Sequence, residues 1–144
     1  MRMSEVILAP VFVLVALIFS VWLHLLASRL RLIRRRPPKR EDFASAAAQA
    51  RYFADVDLPA ANIANLFEMP VLFLALVPML IVTGQAGVAQ VVLAWVFVAL
   101  RAWHSYAHIV ARKVRLRFQV YVGSCLVLAA MWVVFAVSLA IRIA

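Results

Sequence analysis

Apolar residues run along this chain in four long blocks, Val6–Ala27, Ala60–Val82, Val88–Val110 and Phe118–Ile141, set apart by one long and two short polar stretches. Crossing a bilayer core takes about 20 residues at a rise of ~1.5 Å each, and every block is long enough. The pattern predicts an all-α protein: four transmembrane helices running up and down as a left-handed four-helix bundle. The blocks use up most of the chain, so residues 1–144 read as one membrane domain with no room for a separate soluble one.

The connections carry their own signals. The long one, 28–59, contains Arg34-Arg35-Arg36-Pro37-Pro38, which ends the first helix: proline cannot continue a helix and disfavours it in the preceding residue. From Glu41 to Asp55, Phe43, Ala46, Ala47, Ala50 and Phe53 recur at helical spacing. That spacing predicts a short Ala-rich helix lying on the membrane surface or folded over the mouth of the bundle. Asp57-Leu58-Pro59 opens the second span, with proline in a helix's first turn. Thr83-Gly84-Gln85-Ala86-Gly87 is a tight turn and makes the second and third spans an antiparallel pair. Pro70 and Pro78 are expected to kink the second span and free backbone carbonyls. The sequence holds no internal repeat and no Gly-rich phosphate loop.

Composition agrees with a membrane protein and removes other classes. Hydrophobic residues make up 67% of the chain and mean hydropathy is +1.00, more apolar surface than a soluble domain carries. A net charge of +9 would suggest nucleic acid in a soluble protein. Here most of the basic residues fall in the first connection (Arg29, Arg31, Arg34, Arg35, Arg36, Lys39, Arg40, Arg51) and the third (Arg112, Lys113, Arg115, Arg117), and the second has no charge. The positive-inside rule therefore puts the first and third connections in the cytoplasm and both termini outside, with the polybasic loops against anionic headgroups and no nucleic-acid partner. Abundant Ala, Val and Arg with little Lys points to a bacterial genome, hence the inner (plasma) membrane. The first block reads as a retained helix: it exceeds the about 7–15 apolar residues of a signal peptide, basic residues follow it, and no cleavage site closes it. Cys125, the single cysteine, lies within the fourth span, excludes an intrachain disulfide and reads as a small core residue.

Candidate chemistry concentrates on a few intramembrane polar residues. Glu68 is the only acidic residue inside the blocks, and a charge at mid-membrane costs about 2.5–3.5 kcal/mol on insertion scales, so it points to function. Asn65 shares its helix face at i, i+3. With entry near Ala60, Glu68 lies roughly 12 Å deep; with exit near Arg112, Arg101 lies about 16 Å deep. Matched depth on antiparallel neighbours predicts a Glu68–Arg101 ion pair, either at a site or as a purely structural register lock. Arg101, His104, Ser105 and His108 recur at i, i+3, i+4 and i+7 as one polar stripe, and Arg117 and Tyr121 are i, i+4 on the fourth helix. Polar groups in one half of three helices suggest a hydrated cleft open to the cytoplasm. His104-x3-His108 with Glu68 also has the residue types of a two-His-one-carboxylate metal site. Arg101, a fixed cation one turn from His104, argues against a metal, and none is expected.

Asn65-x-x-Glu68-x-Pro70 in the second span, Arg101-x-x-His104 in the third and Arg117-x-x-x-Tyr121 opening the fourth resemble the MAPEG family, the membrane-associated proteins in eicosanoid and glutathione metabolism. The resemblance runs over nearly the whole chain. It implies a homotrimer of four-helix protomers with glutathione, as co-substrate, bound between neighbouring subunits on the cytosolic side. By the same resemblance, Asn65, Glu68, Arg101 and Tyr121 hold the tripeptide or support residues that do, with His104 and His108 beside them. Arg29 meets a glutathione carboxylate, and Arg117 activates the thiol. Two positions depart from the family pattern: Ala61 stands where an arginine is common, and His108 where a tyrosine is common.

The physical logic runs the same way. Glutathione is an anion with two carboxylates and one ammonium, which several arginines and one glutamate suit. A thiol titrates near about 8.5, and an adjacent guanidinium stabilises the nucleophilic thiolate. The implied activity is a transferase or peroxidase acting on a hydrophobic small-molecule electrophile. Two other classes stay open: a non-catalytic lipid-binding or scaffold protein on the same fold, and a small transporter coupled to protons through Glu68.

Overall fold

A computed structural model describes residues 2–111 and 113–143. After a one-turn helix, α1 (Met3–Val6), come α2 (Leu8–Arg35), α3 (Ala46–Phe53), α4 (Leu58–Leu66), α5 (Met69–Val82), α6 (Val88–Tyr106) and α7 (Val114–Ile143). Four helical stretches are long and apolar enough to cross a membrane: Met3–Arg35, Leu58–Val82, Val88–Ala111 and Val114–Ile143. The all-α, four-span architecture expected from the sequence is the one observed. Large apolar side chains such as Phe12, Phe19, Trp22 and Phe118 stand exposed on the outside, the inverse of a soluble protein's surface and the proper one for lipid contact.

α2 runs two turns past the apolar block that ends at Ala27, to Arg35, because Leu and Arg are good helix formers and arginines in the last turn complement the helix dipole. It stops just before Pro37-Pro38, as expected. The region Glu41–Asp55 is not one helix. A 3₁₀ turn (Arg40–Phe43) is followed by a fresh start at α3, where the Ser45 hydroxyl accepts the Ala48 N–H at 3.1 Å. α3 folds back onto the end of α2: the Tyr52 hydroxyl donates to the Arg36 carbonyl, and Phe53 lies beneath the Arg29 guanidinium at 4.7 Å.

The second span also departs from a continuous helix kinked at two prolines. It breaks once, at Phe67–Glu68, so that Pro70 falls in the first turn of α5. A proline there would collide with the carbonyl four residues back, Leu66, if the helix ran through, and interrupting the ladder upstream removes the clash. Pro78 sits inside α5 without dividing it.

The turn after α5 is a Schellman cap: Gln85 N–H donates to Leu80 O at 2.7 Å and Gly84 N–H to Ile81 O at 3.1 Å, with Gly84 at φ 66°. The bundle is divided along its length. Toward this turn the core is apolar apart from Gln90, with Phe73 stacked on Phe97 at 5.0 Å among Leu14, Leu76, Leu80 and Met131. Toward the basic connections the buried side chains include a polar set: Asn62, Arg101, His104, Ser105 and His108.

Candidate active site

The polar half is assembled around the break in the second span. Asn65 is in the last turn of α4, whose final carbonyls have no partner within the helix. Arg101, fully buried on α6, donates from Nη2 to the Asn65 carbonyl at 2.5 Å and so caps that helix end. Its guanidinium carbon lies 5.4 Å from the centre of the Tyr121 ring. Asn65 Nδ2 donates to Ala61 O at 2.9 Å.

Glu68 does not pair with Arg101. Its Oε2 accepts the Tyr121 hydroxyl at 3.1 Å, and among the described residues the ion pair is Arg29–Asp57. Position along the helices does not decide the pairing; azimuth does. Arg101 points into the protomer, whereas Glu68, freed from helical φ/ψ at the break (ψ −95°), stands exposed on its flank.

Arg117 is held at two points. Its carbonyl faces His104 Nδ1 at 3.2 Å, and its Nη1 lies 3.0 Å from His108 Nε2. Arginine has no acceptor, so the second contact requires the Nδ1–H tautomer of His108; the carbonyl requires Nδ1–H on His104 too. His108 reaches Arg117 from a π-helical segment, Ala107–Ala111, which closes α6. π-Bulges of this kind re-aim side chains. The rings of His104 and Tyr121 are 5.6 Å apart, and those of His104 and His108 5.9 Å. The expected stripe of Arg101, His104, Ser105 and His108 is therefore intact and buried between helices, and of its members His104 borders the open space beside it.

What is open is a groove of about 560 Å³ beside the stripe, lined by Asn65, His104, Val114, Arg115, Arg117, Phe118 and Tyr121. Four of the residues expected at the site border it. Arg101 and His108 stand behind it as braces, Glu68 is attached through Tyr121, and Arg29 is elsewhere. Arg29 binds Asp57 Oδ1 through Nη2 at 2.6 Å and Nε at 3.2 Å, joining α2 to the start of α4. Glu68 and the two histidines do not gather into a metal-binding group, nor does any other set of three His, Cys, Asp or Glu among the described residues.

A family model for the MAPEG family matches residues 7–137, covering all but the extremities of the chain. The chain belongs to the MAPEG family. No curated protein and no solved structure gives a significant match. Membership brings with it the four-span membrane architecture already described, and a family whose members include glutathione transferases and peroxidases alongside others.

Two further residues join the polar cluster in this MAPEG chain. Arg115, taken from the sequence as a topology signal, lines the groove. Asn62 is fully buried and accepts from the Ser105 hydroxyl at 3.5 Å, while its Nδ2 has no protein partner. The available signal for Asn62 was its place one turn before Asn65 on the same helix face.

Proposed function

We propose that this protein is a glutathione-dependent membrane enzyme that directs a thiolate at hydrophobic electrophiles. The observation that carries the reading is the doubly held Arg117 at the edge of the groove, its guanidinium steadied by His108 and its main chain by His104. A cation fixed in this way stabilises a thiolate beside it without reorganising, and the thiol proton leaves to solvent. The sulfur then attacks the electrophile: an S–C bond forms and the leaving group departs with its electron pair. In the peroxidase variant the thiolate attacks the terminal oxygen of a hydroperoxide, the O–O bond breaks and the other oxygen leaves as the alcohol; a second glutathione then attacks the resulting sulfenic acid, closing the disulfide and releasing water.

Arg115 and Arg117 supply charge for the carboxylates of the tripeptide, Asn65 and Tyr121 supply polar contacts, and Val114 with the exposed Phe118 gives the groove an apolar wall. About 560 Å³ falls within the roughly 300–1,000 Å³ usual for small-molecule sites. Arg29, committed to Asp57, reaches the tripeptide only if it gives up that pair.

Glu68 supports a homotrimer. It is some ~15 Å along a spanning helix yet exposed on the protomer, and a carboxylate facing hydrocarbon there costs about 2.5–3.5 kcal/mol. A neighbouring subunit that covers Glu68 and completes the groove removes that cost and lets the glutamate meet the glutathione ammonium. The basic connections then face the cytoplasm of a bacterial inner membrane, where the tripeptide is abundant.

Isothermal calorimetry of glutathione against the detergent-purified protein tests the reading, with Arg117→Ala and Glu68→Gln alongside. Saturable binding weakened by Glu68→Gln, and conjugation of a chlorodinitroarene abolished by Arg117→Ala, are expected. No heat at millimolar glutathione from folded protein would sink the proposal.

A further inference from the structure

A cavity of about 620 Å³ lies at the other end of the bundle, bounded by the Gly84–Gly87 turn, the start of α6 and the last turns of α7. We propose that it is a headgroup site for a glycerophospholipid whose phosphodiester bears a hydrogen-bond donor, as ethanolamine and glycerol headgroups do.

Gln90 makes the strongest demand. It is only 3% exposed, and its Nε2 donates to the Met131 carbonyl at 3.0 Å. That bond fixes which way the amide faces and leaves Oε1 of this wall residue an acceptor without a protein partner. Leaving such an oxygen buried and unpaired costs about 1–3 kcal/mol. Gln85, also in the wall, has neither amide atom partnered. An occupant that donates a hydrogen bond answers the Gln90 oxygen, and Gln85 suits either a donor or an acceptor.

The same cavity also asks for an anion. Arg142 gives one N–H to the Thr83 carbonyl at 2.8 Å, which leaves most of its five donors free at the rim. α6 starts here with Gly87 at its N-cap and no side-chain cap, so the first-turn N–H groups lack intrahelical acceptors. A bare phosphate would suit Arg142 and the helix start but repel Gln90 Oε1, and a purely apolar occupant would satisfy neither. A phosphodiester with an ammonium or hydroxyl a few bonds away answers both demands. The remaining wall is apolar (Met3, Val134, Ile141) and continues onto the exposed outer face of α7 at Val137, a path for acyl chains.

The test titrates phosphatidylethanolamine, phosphatidylglycerol and phosphatidylcholine of matched acyl chains into delipidated, detergent-solubilised protein and counts bound lipids by native mass spectrometry. Phosphatidylcholine shares the phosphate and lacks the donor. We expect one lipid per protomer, with the ethanolamine or the glycerol lipid, or both, binding about tenfold more tightly than phosphatidylcholine, the worth of one good hydrogen bond. The ranking of the first two separates an ammonium from a hydroxyl donor. Gln90→Met should erase the preference, and Arg142→Gln should weaken all three lipids alike. Because Gln90 is packed against α7, Gln85→Leu repeats the donor test at a half-exposed turn position. Equal binding of all three lipids to the wild type, or an unchanged lipid count in Arg142→Gln, overturns the proposal. So does an oligomer that binds no lipid, its cavity filled by a neighbouring copy.

Discussion

The Tyr121 hydroxyl donates to Glu68 Oε2 at 3.1 Å and so fastens the fourth span to the break in the second. The face of the same ring lies against the Arg101 guanidinium at 5.4 Å. Tyr121 is thus the element through which a buried cation and an exposed carboxylate are joined without touching. The cation–π contact contributes about 0.5–2 kcal/mol and the hydrogen bond about 0.5–1.5 kcal/mol.

Removing either partner of the hydroxyl–carboxylate bond should have the same consequence. Tyr121→Phe and Glu68→Ala are each expected to lower thermal stability in detergent by an amount on the order of 1 kcal/mol and to weaken glutathione binding. Because both variants break one contact, the double variant should cost little more than either alone. Fully additive losses would show that the two side chains act separately.

Arg101 has a structural role that two substitutions distinguish. Arg101→Met retains volume but leaves the Asn65 carbonyl without its donor, at about 1–3 kcal/mol. Arg101→Ala adds a cavity and should cost about 2–5 kcal/mol. In both, amide hydrogen exchange should rise around Leu66–Met69, where the cap holds α4 against the break. Unchanged exchange there in Arg101→Met would leave Arg101 with no part in bracing the second span.

His108 is a positioning residue, since it touches Arg117 and lies outside the groove lining. Arg117→Ala should lower kcat by about 10²–10³, the range seen when a transition-state donor is lost. His108→Ala should lower it by roughly tenfold with KM nearly unchanged, and His108→Gln, whose amide oxygen also accepts from a guanidinium, should recover part of it. A His108→Ala defect confined to KM would instead place the imidazole against the tripeptide.

The four spans were legible because 20-residue apolar blocks have few alternative readings, and the Gly-containing turn because a helix end followed by glycine specifies its own cap. The polar cluster was legible as a set, since i, i+3, i+4 and i+7 spacing survives any bundle geometry. Its pairing was not. Spacing reports depth along a helix, and the Glu68–Arg101 expectation assumed an azimuth that the break at Phe67 changed. The break itself was misplaced because proline's clash acts on the carbonyl four residues upstream rather than at the ring. Arg29 shows the same limit: it lies inside α2, short of its end at Arg35, and Asp57, beyond a 3₁₀ turn no periodicity announces, claims its guanidinium.

Gly84 is required by backbone geometry alone. Its φ of 66° is left-handed, and a Cβ added there would meet nothing within 4 Å. Gly84→Ala should therefore cost about 1–2 kcal/mol from conformation with no steric term. Gly87→Ala, in extended backbone at φ −86° with equally open surroundings, should cost far less. Thermal unfolding of the two variants side by side checks the contrast, and equal losses would refute the conformational account.

The Arg29–Asp57 pair closes the long connection onto α2, and its two ends are each about one-third exposed (34% and 34%), so solvent screens it. Asp57→Asn should thus cost at most about 1 kcal/mol of global stability. Its local effect should be larger. Asp57 sits at the N-cap of α4, and Arg29 also lies over Phe53, so loosening the pair frees α3 from the end of α2. Limited proteolysis with trypsin should cut faster at Lys39, Arg40 and Arg51 in Asp57→Asn than in the wild type. The same variant bears on glutathione: an Arg29 released from Asp57 becomes available to a carboxylate. Tighter binding in Asp57→Asn would show the pair competing with the tripeptide for Arg29, and unchanged affinity with faster proteolysis would assign Arg29 to the fold alone.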